Sequence, residues 1–105
     1  MKYIIFENTN TEEKIAVVFP DVLVHTDMSK GTVRTAMTSR YHPVNLDPVS
    51  AGFVFVHNGK NGLSVVCEGR SESLNLSSQP EDADLIGRQY YGIAKKNTTE
   101  VSNGA

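Results

Sequence analysis

The chain lacks most of the features that announce an activity. It has one cysteine, Cys67, so it holds no internal disulfide and no cysteine-built metal cluster. A single thiol fits a reducing compartment. No apolar run approaches the ~20 residues of a membrane-spanning helix. The run from Tyr3 to Phe6 is shorter than a signal-peptide core and meets Glu7. A soluble cytoplasmic protein is expected. There is no basic excess either: 10 Lys and Arg face 12 Asp and Glu, for a net charge of −2. Proteins that grip phosphate backbones carry a clear positive surplus, so generic nucleic-acid binding is not expected. Missing too are G-x-S-x-G, the phosphate loop, G-x-G-x-x-G and H-E-x-x-H. Nothing points to a cofactor, and catalysis is not the leading expectation.

What is present describes a fold. The 105 residues suffice for one domain and not two. Residues 2–7 and 14–19 are rich in β-branched and aromatic types, and the polar run 8–13 between them reads as a hairpin loop. Pro20 ends the second strand. A helix is predicted from Thr26 or Asp27, with Thr26 as its cap, ending before Pro43. Residues 43–50 carry two prolines and read as an irregular connection. Residues 52–57 form the strongest strand signal, the cluster 58–62 a tight turn, and residues 63–68 the return strand. Residues 71–76 alternate like a half-exposed strand. Ser78 and Glu81 have capping-box spacing before a second helix, in which Ala83, Ile86, Gln89 and Tyr90 share a face and Gly92 is the stop. The order is β-β-α-β-β-β-α. It predicts a single α+β domain over residues 1–94, with two helices on a largely antiparallel sheet of about five strands. Residues 95–105 read as a flexible tail.

Several strands are apolar on both alternating sets: Phe53 and Phe55 on one, Val54 and Val56 on the other. An antiparallel sheet with one wet face should alternate apolar with polar. Either the helices cover opposite faces, or a second copy of the chain covers one of them, so a homodimer is among the expectations.

Candidate chemistry is sparse. His25 and Asp27 form an H-x-D pair that could share a metal, although a helix-start histidine is the commoner meaning. His42 and His57 read as solvated. Cys67 alternates with Val65 and Leu63 and reads as a core residue rather than a nucleophile. Lys60 between Gly59 and Gly62 reads as hairpin turn. The run Gly69 to Ser73 brings Arg70, Glu72 and two hydroxyls together, either as an orienting pair or as charges that blunt a sheet edge. Charge is segregated: Lys30, Arg34 and Arg40 lie in a stretch without acids, whereas Glu68, Glu72, Glu81, Asp82 and Asp84 face Arg70 alone. Steering by complementary charge needs no more than this. Arg34, Arg40, Arg70, Glu72, Asp82 and Asp84 are therefore the expected partner-binding residues.

Six short runs carry a resemblance. They are Val18-Phe19-Pro20-Asp21, His25-Thr26-Asp27-Met28, Pro43-Val44, Val49-Ser50-Ala51-Gly52-Phe53, Gly69-Arg70-Ser71-Glu72-Ser73-Leu74 and Gln79-Pro80-Glu81-Asp82. Together they resemble small accessory proteins of bacterial phages and prophages, over most of residues 1–91. Asn58 to Asn61 and the tail depart from that pattern. The group has no assigned activity, so no catalytic residue is implied. The resemblance implies an accessory product that binds and blocks a host protein, as an inhibitor of a defence or regulatory complex. Two other readings stand beside it. One is a small-ligand or nucleotide module, with residues 69–73 and His25 lining a pocket. The other is a metal-dependent hydrolase using His25 and Asp27.

Overall fold

The computed structural model describes residues 1–40 and 42–93. Its first elements are an antiparallel hairpin of β1 (Lys2–Asn8) and β2 (Lys14–Phe19), with Lys2 opposite Phe19 and Glu7 opposite Lys14. Helix α1 (His25–Met37) follows. A second hairpin joins β3 (Leu46–Gly59) to β4 (Gly62–Glu68) through Lys60 and Asn61. Next come a short ribbon of β5 (Arg70–Ser71) and β6 (Leu76–Ser77), and helix α2 (Asp82–Tyr91). The main sheet has the order β2-β1-β3-β4, antiparallel throughout. The fold is a single α+β domain. No helix among the described residues is long and apolar enough to cross a membrane.

The two-sided pattern of β1 is explained within one chain. Tyr3, Ile4, Ile5 and Phe6 of the central strand β1 are all buried. Tyr3 and Ile5 face Ala16, Val54 and Ile86 of α2. Ile4 and Phe6 face Phe19, Leu46 and Ala51, with Met28, Val33 and Ala36 of α1 packed on them. The helices therefore cover opposite faces of the sheet. Full burial of a large apolar side chain contributes roughly 1.5–3 kcal/mol, so β1 is the densest source of stability in the chain.

Four details differ from expectation. Strand β3 begins at Leu46, not Gly52, and runs through Pro48. It can do so because the pairing with β1 shifts between Ile5 and Phe6, and Pro48 sits at that bulge, where its missing N–H costs the ladder nothing. The expected strand 71–76 is instead the β5–β6 ribbon. The chain turns through residues 72–75, with Asn75 at φ 56°, and this ribbon is separate from the main sheet. Helix α1 starts at His25, and its N-cap is Val24, not Thr26. It ends at Met37, well before Pro43, because Val44 returns to bond the Ala36 carbonyl at 2.9 Å. Before α2, the carboxylate that reaches back is Asp82, which accepts the Gln79 N–H at 2.9 Å. The N-cap itself is Glu81, with no side-chain capping bond, so the box expected from Ser78 and Glu81 does not form. Gly92 does end α2, in the left-handed conformation at φ 64°. The tail expected over 95–105 lies outside the described residues.

Candidate functional site

The expected partner-binding residues do not share one surface. Asp82 is 2% exposed and belongs to a buried polar knot. Its Oδ2 accepts from the Tyr3 hydroxyl at 2.6 Å, and its Oδ1 accepts from Ser50 Oγ at 2.9 Å. With Gln79 N–H these donors satisfy the charge, as a buried carboxylate requires. Burial, then the hydrogen bond to Asp82 and its charge, hold the Tyr3 phenol far above its usual range. Neighbouring Cys67 is pushed up to about 11 by burial and then by the Asp82 charge, against a hydrogen bond with Tyr3 that pulls it down. A thiol held protonated is a poor nucleophile. Asp82 is thus a fold anchor, not an exposed acid. Asp84, also in the first turn of α2, is half-buried.

Arg70, Glu72 and Ser73 do converge with His25. With Lys2, Val24 and Phe53 they line an open hollow beside the start of α1. His25 itself is only 5% exposed, edge-on to Phe19 and Phe53. Its Nε2 lies 3.0 Å from the Gly52 carbonyl. A carbonyl only accepts, so Nε2 carries the proton. The other polar groups are mutually engaged too. Lys2 Nζ donates to Leu23 O at 2.8 Å, and Arg70 pairs with Asn75 and stands 3.7 Å from Glu72. Ser73 Oγ accepts from Thr26 N at 3.3 Å, supplying the cap that Val24 cannot. This cluster locks α1 to the β5–β6 ribbon. Among the described residues no group of three His, Cys, Asp or Glu side chains could hold a metal. His42 and His57 are exposed.

Arg34 has a different setting. With Lys30, Val33, Met37, Ser29 and Thr38 it lines a shallow groove along α1. The floor is apolar and Met37 is exposed. Lys30 and Arg34 are one turn apart at the rim, and neither forms an ion pair among the described residues. Arg40 is exposed beyond the helix end and likewise free of ion pairs there. The basic stretch is therefore available at the surface, whereas of the acidic residues expected at the same interface Asp82 is buried, Asp84 is half-buried and Glu72 stands exposed beside Arg70.

The two edges of the main sheet form a further contrast. On β2, the outward N–H of Ala16 donates to Gln89 Oε1 at 2.8 Å, and its carbonyl accepts from Gln89 Nε2 at 2.7 Å. The Tyr90 hydroxyl adds a third bond at 2.8 Å. One amide side chain thus mimics the next strand. On β4, the pair Gly59–Gly62 closes a two-residue turn, so alternate ladder positions turn Leu63, Val65 and Cys67 backbone groups away from β3. The N–H of Val54, opposite Cys67, indeed goes to Met1 O instead. Among the described residues nothing caps this outer row. Phe55, Val56, Leu63 and Val66 stand exposed around it. Sequence reasoning placed Gln89 on a helix face but had no local signal for its partner 73 residues away.

No family model, curated protein or solved structure matches the chain.

Proposed function

We propose that this chain works by docking on another protein, through the α1 groove, and that the partner offers an acidic surface. The observation that carries the reading is the pairing of an apolar floor, Val33 and Met37, with two cations at the rim, Lys30 and Arg34, that form no ion pair among the described residues. An apolar side chain flanked by carboxylates complements that arrangement, and charge complementarity of this kind sets register and encounter rate. Phosphate backbones complement the rim but not the floor. The resemblance to phage accessory proteins directs the reading toward a bacterial host protein that is bound and blocked. The test is affinity capture from bacterial lysate with the wild type and with a Lys30→Glu, Arg34→Glu variant, at low and high salt. The reading expects an acidic protein held in stoichiometric amount, released as salt rises and lost with the variant. Capture unchanged by the variant, or capture of nucleic acid alone, contradicts it.

A second reading rests on the convergence of His25 with Arg70, Glu72 and Ser73 around one hollow. It makes the chain a small-ligand or nucleotide module. The engaged polar groups there rank it below docking. Ligand at 100 times its dissociation constant would add roughly 2.7 kcal/mol of stability. A thermal-shift panel of nucleotides and metabolites with no response removes this reading.

A further inference from the structure

We infer that β4 pairs with β4 of a second copy, antiparallel, about a two-fold axis at Ser64, joining two sheets into one. This surface is independent of the α1 groove. Three observations lead to it.

The outer row of β4 is complete. Leu63, Val65 and Cys67 each direct an N–H and a C=O outward, and an antiparallel copy presents the same row in return. The opposite edge is interrupted at Ala16 by Gln89 and Tyr90, whereas no side chain among the described residues interrupts the β4 row.

The edge lacks the usual guards against pairing. Native sheets blunt an open edge with lysines, prolines, bulges or inward charges. Strand β4 reads Gly-Leu-Ser-Val-Val-Cys-Glu, regular throughout, with its only charge at the last residue. Leu63 and Val66 are large, apolar and exposed.

Charge selects the partner and the register. With Ser64 opposite Ser64 of the second copy, Leu63 falls opposite Val65, Val66 opposite Gly62, and Glu68 opposite Lys60. Both Glu68 and Lys60 are exposed, and neither has an ion pair among the described residues. The symmetry doubles the Glu68–Lys60 pair. Leu63 and Val65 of both copies meet on the α2 side of the joined sheet.

The experiment is sedimentation equilibrium of the full chain over a wide concentration range, with circular dichroism to confirm folding of each variant. The wild type is expected to approach twice the monomer's 11.5 kDa. Glu68→Lys places like charges opposite each other twice and should weaken association about tenfold or more. The double exchange Lys60→Glu, Glu68→Lys restores the pairs and should restore the dimer. All three chains keep the β3–β4 ladder, since both side chains lie at the surface. A wild type that remains monomeric overturns the proposal. So does a dimer indifferent to Glu68→Lys, because that dimer uses another surface or register.

Discussion

The two edges of the sheet meet the same physical problem and solve it differently. An edge strand leaves a row of backbone donors and acceptors without partners. On β2 the row is interrupted at Ala16, where Gln89 and Tyr90 of α2 supply one acceptor and two donors. Ala16 is buried as a result. On β4 the row at Leu63, Val65 and Cys67 has no cap among the described residues, and the side chains around it are apolar and exposed. The same helix passes both strands. Ile86 packs into the core and Gly87 lies against Val65, but only the far end of α2 carries side chains that reach a backbone edge. One edge is tied into the fold at Ala16, and the other is the one we propose for association.

The cap on β2 depends on where α2 sits, and the Asp82 knot fixes that position. Asp82→Ala should therefore give the largest effect. It leaves Tyr3, Ser50 and the Gln79 N–H without their acceptor and frees the start of α2. A loss of about 3–5 kcal/mol is expected from buried donors left unpaired beside a lost charge, read as a large drop in the urea midpoint. Gln89→Ala should cost less, about 1–3 kcal/mol for two orphaned backbone groups. It should also open β2, so light scattering should report new association that wild-type protein lacks at the same concentration. If Gln89→Ala neither destabilises nor associates, the cap is incidental.

A smaller effect concerns pH. Cys67 in the fold is raised from about 9 to about 11, and Tyr3 is raised as well. Above the unfolded values the native chain binds more protons than the unfolded one. Stability from these groups is therefore full below pH 9 and declines as pH rises toward 11 and beyond. Cys67→Ala should make the fall of the urea midpoint between pH of about 9 and 11 shallower, leaving the part that belongs to Tyr3. An equal slope in both chains would separate Cys67 from this dependence.

Periodicity made much of the fold legible. The apolar runs at 2–7 and 14–19, the cluster 58–62 and the stop at Gly92 correspond to elements close to the expected bounds. The two-sided pattern at Tyr3 to Phe6 matches a strand covered on both faces, whereas the same pattern at Phe55 and Val56 falls on an exposed stretch of β3. What escaped was non-local. Pro48 read as a break because a bulge depends on the register of the neighbouring strand. Ser73 caps a helix 47 residues earlier, which no capping pattern encodes. The acids near residue 80 looked like a surface charge cluster. Only the packing shows that Asp82 points inward to Tyr3 and Ser50, whereas Lys30 and Arg34 are exposed. Charge counted along the chain says which residues are candidates, and burial decides which of them a partner can touch.

The most direct test of the contrast is backbone amide exchange at Ala16 and at Leu63, Val65 and Cys67, measured at low and high protein concentration. The account predicts slow exchange at Ala16 at every concentration. It predicts fast exchange at the three β4 positions when dilute, slowing as concentration rises. Equal protection of both edges in the dilute monomer, or β4 exchange that stays fast at high concentration, would contradict it.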